Sequence, residues 1–185
     1  MAEKGCEIAI VSHPVDADIC QLVVADTRLA LGHLGAYRRK KNSQLKVIAL
    51  TGSSGKTTTK EMLGSILSRI APTLITRGNL NNDLGVPMML LELRSEHQYA
   101  VMELGASHQG EIDYTSDLVQ PHVAGILNIG TAHLGECGSD FKKIAVNVGC
   151  YCFGFLGPFF LLRHLHHPQS CQRSFHVSVF GYIVL

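Results

Sequence analysis

The stretch KVIALTGSSGKTTTKEMLGSILSRI, residues 46–70, restricts the fold more than any other part of the chain. An apolar run short enough to be a buried strand passes through a glycine-serine turn into a helix-compatible segment, which is the setting of a phosphate loop. Gly52 and Gly55 can take backbone angles closed to residues with a Cβ, so successive N–H groups can converge on phosphate oxygens at a helix N-terminus. In such a loop Lys56 reaches the β- and γ-phosphates and the Thr57 hydroxyl ligates Mg2+. The usual spacing is G-x-x-x-x-G-K-[ST], but Leu50 stands five residues before Gly55, so this is a shortened variant. A plain Gly-Ser turn with a solvated lysine is the competing reading, and the strand and helix on either side weigh against it.

The rest of the first 148 residues repeats the strand–helix alternation. KVIALT (46–51), TLIT (73–76), YAVMEL (99–104) and HVAGILN (122–128) read as buried strands. Helical stretches around 57–70, 87–93, 110–118 and 139–147 separate or follow them. Such alternation predicts an α/β fold, a parallel sheet with helices on both faces. Upstream, EIAIVS (7–12) reads as a strand and ADTRLALGHLGAYRR (25–39) as an amphipathic helix, with Asp26 or Thr27 as its cap. RRKKNSQ reads as a linker whose basic residues form a solvated hinge, since no aromatic residues interleave with them as in a nucleic-acid patch.

Sixteen Lys and Arg balance fifteen Asp and Glu, so bulk charge draws the chain neither to nucleic acid nor to an anionic membrane. Any anion must be held locally. All fifteen acidic residues lie within 1–140 and all seven phenylalanines within 141–185, which marks a compositional boundary. Beyond it, CYCFGFLGPFFLL (150–162) is shorter than the ~20 residues of a membrane span and is broken by Gly and Pro. Cys6, Cys20, Cys137, Cys150, Cys152 and Cys171 show no C-x-x-C spacing, and MAEKGCEIAI lacks the features of a signal peptide, so reduced thiols in a cytoplasmic protein are expected.

Three further segments carry chemistry. RGNLNNDLGVP (77–87) sets Asn79, Asn81, Asn82 and Asp83 between a strand and a Pro-initiated helix, where they serve either a turn or a polar ligand. YAVMELGASHQGEI puts Glu103 at the carboxyl end of a strand, the edge at which parallel sheets collect ligand groups, and makes it a candidate Mg2+ ligand. An exposed strand-end carboxylate is the bland alternative. HVAGILNIGTAHLGECGS places Asn128 and His133 beyond the next strand at that same edge, with His133 able to join a Mg2+ site only as a minor partner of oxygen ligands. His108 reads as a loop residue.

TGSSGKTTTKEM, TRGNLNNDLGVP, VMELGASHQGEI and NIGTAHLGECGS together resemble, in this order, the Mur ligases, and among them the branch that joins D-alanyl-D-alanine to UDP-N-acetylmuramoyl-tripeptide. The likeness covers about residues 5–147. It implies residues 1–42 as the end of a UDP-substrate domain with its linker and 43–148 as part of a P-loop-like central ATP-binding domain. It also implies a cytoplasmic, monomeric peptide ligase of cell-wall precursor synthesis that uses ATP and Mg2+ and proceeds through an acyl phosphate. By the resemblance Gly52, Ser53, Ser54, Gly55, Lys56, Thr57 and Thr58 hold the phosphates. Lys56 and His133 act in catalysis, Thr57, Glu103 and His133 hold metal, and Asn81 and Asn82, with Asn79 beside them, form a loop near substrate and nucleotide.

The likeness has gaps. The family carries a metal-supporting lysine on the helix that follows GECGS, but here Asn147 or Val148 stands where it is expected, and Lys142 and Lys143 lie a turn or more too early. Residues 149–185 match nothing in the family. Their CYC, HLHH and Cys171 do not have the spacing of a common zinc site, and the tail reads as the product of a truncated gene model or of read-through into sequence never selected to fold. A catalytically inactive ATP-binding fragment is therefore the alternative expectation. A related amide-forming ligase, such as folylpolyglutamate synthetase, shares the phosphate loop but not GNLNNDLG or ELGASHQGEI.

Overall fold

The computed structural model describes residues 5–108 and 110–127. Within them, Asn128, His133, Lys142, Lys143, the helix expected over 139–147 and the whole tail find no place, since all lie outside the described residues. The apolar runs anticipated as strands form β3 (Lys46–Thr51), β4 (Thr73–Ile75), β5 (Tyr99–Glu103) and β6 (Val123–Ile126). They make a four-stranded sheet in the order β4-β5-β3-β6, and every neighbouring pair is parallel. Parallel strands need crossovers, and α2 (Lys56–Leu67), α3 (Gly85–Leu91) and α4 (Glu111–Val119) lie in the connections.

Side-chain alternation sorts the helices onto the two faces. Val47, Ala49, Leu74, Ala100 and Met102 share one core cluster with Val86, Met89, Leu90 and Leu93 around α3 and Leu118 and Val119 of α4. On the opposite face α2 packs against β4 and β5, and Gly64 lets it approach so closely that a methyl group there would overlap the Ile75 side chain. Pro87 lies in the first turn of α3 rather than at its start, at a position whose N–H has no partner within the helix.

The N-terminal part adds a small parallel pair, β1 (Ile8–Val11) with β2 (Cys20–Val23). β2 was not anticipated because CQLV is too brief to show a period. α1 (Thr27–Lys41) follows, and of the two candidate caps it is Asp26 whose carboxylate accepts from Arg28 N at 2.7 Å and Leu29 N at 3.1 Å. α1 packs on α3 and α4, with Gly35 against Pro87 and Gly32 against the Tyr114 hydroxyl.

The hinge expected at RRKKNSQ is corrected. Arg38, Arg39, Lys40 and Lys41 form the last turn of α1, where cations complement the helix dipole. Arg39 is 7% exposed and donates to Val119 O at 2.9 Å and Gln120 O at 3.2 Å, and burial holds its guanidinium below its ordinary pKa. Arg38 Nε donates to Leu93 O at 2.7 Å. A charge run looks solvated when read along the chain alone, but these guanidinium groups satisfy the carbonyls left over at the ends of α3 and α4. Among the described residues, no helix is long and apolar enough to cross a membrane.

Two predictions follow from this packing. A Cβ on Gly35 would lie 3.0 Å from Pro87 Cα and 3.1 Å from Pro87 O, backbone atoms that cannot rotate aside. Leucine gains up to about 1 kcal/mol over glycine in helix propensity, whereas overpacking costs about 1–3 kcal/mol. Gly35→Leu is therefore expected to lower the thermal unfolding midpoint, and an unchanged or raised midpoint would refute the close contact of α1 with α3.

The second concerns His122, whose Nδ1 accepts from Val47 N at 3.1 Å while its own N donates to Val47 O at 2.8 Å. Partial desolvation, with Arg39 and Lys46 nearby, holds His122 below its ordinary pKa. Below about pH 6.5 the unfolded chain binds more protons at this site than the folded one, so stability falls as pH drops towards the lowered folded value. Urea unfolding at about pH 7.5 and about pH 5.5 should show this loss, and the loss should be smaller in His122→Asn. The same loss in both proteins would exclude His122 as a source.

Candidate functional site

Because the strands are parallel, the carboxyl ends of β3, β4 and β5 share one rim. Leu50 pairs with Glu103, so the turn after β3 and the carboxylate at the end of β5 are neighbours. In that turn Gly52 has φ 144° and Gly55 φ 79°. At Gly55 the nearest atom to an added Cβ is 4.0 Å away, so the left-handed backbone and not lack of space requires glycine there. Gly55 is the N-cap of α2 and supplies no side-chain cap, which leaves the helix start as a place for an anion. Ser53 and Ser54 join the two glycines, Thr58 lies in the first turn of α2, and Lys56 Nζ reaches back to Gly52 O at 2.6 Å.

Glu103 is 2% exposed, contrary to the usual solvated strand-end carboxylate. Its Oε2 accepts from Thr57 Oγ1 at 3.1 Å and its Oε1 from Asn81 Nδ2 at 2.8 Å. The phosphate-loop helix, the β5 end and the asparagine loop thus meet on one carboxylate. Asn81 O also accepts from Gly105 N at 2.7 Å, and the absence of a side chain at Gly105 admits this approach. Asn82 does something different: its Oδ1 accepts from Gly85 N at 2.7 Å and secures the start of α3. Asn79 is exposed and takes part through its carbonyl, which accepts from Asn81 N at 2.8 Å. Within this loop Asn81 is turned to Glu103 and Asn82 builds the turn.

The loop is also fastened on its far side, where Asp83 forms an ion pair with Arg28 of α1. Tyr114 lies close by, and burial, reinforced by Asp83 and Asp26, raises its phenol above the ordinary pKa.

Three groups were missed in the sequence. Lys60 is fully buried, donating to Thr76 O at 2.8 Å, with Glu61 Oε1 at 3.0 Å and Glu103 Oε2 at 3.9 Å. Its spacing from Lys56, one helical turn, was the available signal. Glu111 is 2% exposed and its Oε2 accepts from Ser107 N at 2.6 Å, with His108 Nδ1 at 3.6 Å. A glutamate reaching back to N–H groups before its own helix is the logic of a capping box, and it holds the loop after β5 in place. Thr51 Oγ1, at the base of the phosphate loop, is buried without a hydrogen-bond partner among the described residues.

The donors suit Mg2+. Thr57 and Glu103 offer a hydroxyl and a carboxylate oxygen 3.1 Å apart, both hard ligands. No group of three His, Cys, Asp or Glu stands ready for a metal among the described residues. A pair of oxygen donors fits an ion that keeps waters and phosphate oxygens in its shell better than one enclosed by protein.

The chain is similar to known proteins over most of its described length. The Mur ligase middle domain matches residues 50–146. The UDP-N-acetylmuramoyl-tripeptide–D-alanyl-D-alanine ligase of Escherichia coli (strain K12) is 54% identical over 135 residues, which cover 73% of this chain and 30% of that protein. The ligase of the same name from Haemophilus influenzae is 55% identical over 123 residues, covering 64% and 27%. A crystal structure of MurF from Acinetobacter baumannii superposes with a TM-score of 0.75 at 81% identity, covering 78% of this chain and 32% of that one. MurF from Thermotoga maritima in complex with ADP gives 0.71 at 31% identity, covering 80% and 35%. The chain thus spans about 30% of the length of the curated relatives it matches. Over residues 50–146 the match takes in the phosphate loop, the asparagine loop and Glu103, and the chain belongs to the Mur ligase family.

Proposed function

We propose that the turn over residues 52–58 binds the phosphates of ATP and that Thr57 and Glu103 hold Mg2+. In this reading the chain serves the ATP-dependent joining of D-alanyl-D-alanine to UDP-N-acetylmuramoyl-tripeptide. The observation that carries it is the Thr57–Glu103 hydrogen bond, which ties the loop to a carboxylate on the neighbouring strand. Support comes from relatives bearing that ligase name and from a similar structure in complex with ADP.

The chemistry needs positioning more than covalent help. The tripeptide carboxylate attacks the γ-phosphorus, ADP leaves, and an acyl phosphate results. The dipeptide amine then attacks the acyl carbon, an amide forms, phosphate leaves and the amine gives up a proton. When bound, Mg2+ supplies neutralisation of charge on the phosphates. The Lys56 ammonium stabilises charge on the transferring group, and the α2 N-terminus favours the same anion. Asn81 orients Glu103 through its 2.8 Å bond, while Asn79 and Asn82 shape the loop facing the substrates. His133, outside the described residues, enters on family likeness as a second metal ligand and catalytic group. Residues 1–42 close the UDP-substrate domain and stay joined to the ATP-binding part, residues 43–148, through α1, and the protein acts as a cytoplasmic monomer.

Titration calorimetry with Mg·ATP tests the phosphate loop. Saturable heat is expected from the chain, with affinity at least about tenfold weaker in Lys56→Ala, since a charged hydrogen bond contributes about 1.5–3 kcal/mol. Equal isotherms would remove the loop from nucleotide binding. Phosphate release that requires both UDP-N-acetylmuramoyl-tripeptide and D-alanyl-D-alanine would support the ligase reading. Binding without release would assign the chain nucleotide binding alone.

A further inference from the structure

We propose that Lys60 is the built-in counter-cation of Glu103, orienting and neutralising that carboxylate so that the site takes its divalent cation together with the nucleotide and not alone. The inference rests on the metal role proposed for Thr57 and Glu103.

A fully buried lysine is rare unless paired, because an ammonium stripped of water is strongly destabilised. Lys60 is paired on three sides. Thr76 O, at the end of β4, takes its hydrogen bond at 2.8 Å, Glu61 Oε1 lies at 3.0 Å and Glu103 Oε2 at 3.9 Å. Glu61 is 63% exposed and so is screened by solvent, whereas the Glu103 side chain is 2% exposed. The partner that feels the ammonium most is therefore Glu103.

Helix geometry produces this placement. Lys56, Thr57 and Lys60 stand at i, i+1 and i+4 of α2, so Lys60 follows Lys56 by one turn and Thr57 by three residues on the side facing β4 and β5. Thr57 and Lys60 both address Oε2 of Glu103, while Asn81 holds Oε1. The carboxylate cannot turn without breaking one of these contacts. Lys60 also grips Thr76 O, immediately before the 77–84 loop, and so ties the phosphate-loop helix to the strand that leads into the asparagines.

The charges give the consequence. Glu103 is the buried carboxylate that Thr57 and Asn81 address, and it is offset by Lys60 within 3.9 Å, with Lys56 on the adjoining loop. A bare dication approaching Glu103 meets two ammonium groups, and in a partly desolvated site that repulsion outweighs the pull of one carboxylate. A nucleotide reverses the balance by bringing several negative charges with it. The site is thus built to receive the anion, with the metal carried by its phosphates.

Mn2+, a hard cation that reports its free concentration by electron paramagnetic resonance, tests this without nucleotide. The full chain and Lys60→Arg should bind Mn2+ weakly, while Lys60→Met, similar in length but uncharged, should bind it at least about tenfold more tightly. Should Lys60→Met fail to give folded protein by circular dichroism, Lys60→Gln carries the same expectation. A purely structural lysine would lower or leave unchanged the metal affinity when lost, so neutral variants with affinity equal to or weaker than the parent would overturn the proposal. No ATP is present in this titration, so failure here leaves the Lys56 result standing, and failure of ATP binding would be seen separately.

Discussion

One buried carboxylate joins the parts of this site. Glu103 lies at the end of β5 with almost no exposure, and Thr57, Asn81 and Lys60 reach it from α2, from the asparagine loop and from the next turn of α2. An unpaired charge in that position would be strongly destabilising, and removing a partner from a buried pair costs about 3–5 kcal/mol. The surrounding elements are therefore held where they compensate it. Stability and site geometry rest on the same contacts, so the functional rim is not a loose addition to the sheet.

The parallel sheet makes this convergence possible. Its strands deliver their carboxyl ends to one side, and the β3–β5 register sets the phosphate turn beside Glu103. Apolar packing on the far face, among β3, β5, α3 and α4, fixes the start of α3 just after the asparagines. α1 completes the arrangement from outside through Gly35 against Pro87 and Arg28 against Asp83. A helix belonging to the upstream part of the chain thereby steadies a loop of the site.

Much of this was legible in the sequence, for physical reasons. Buried parallel strands are apolar throughout, so β3 to β6 stood out, and a glycine turn between strand and helix has few other uses. Glu103 and Asn81 could be nominated because strand ends and amide-rich loops gather at one rim. What stayed hidden depends on distant contacts. β2 is too short for a periodic signal, and Arg39 looked solvated because its partners lie at Val119 and Gln120, far along the chain. Lys60 carries no local mark of burial, since its partners Thr76 and Glu103 come from other strands. Nor could spacing alone separate Asn81 from Asn82, although one serves Glu103 and the other the helix start.

The central claim is that Thr57 and Glu103 share a metal ion brought by a nucleotide whose phosphates lie on the Gly52–Thr58 turn. A crystal structure of the chain with Mg2+ and a non-hydrolysable ATP analogue tests it most directly. The account predicts the ion about 2.0–2.1 Å from the Thr57 hydroxyl and from a Glu103 oxygen, with Lys56 on the terminal phosphates. A nucleotide bound elsewhere, with Glu103 still engaged only by Thr57, Asn81 and Lys60, would contradict it.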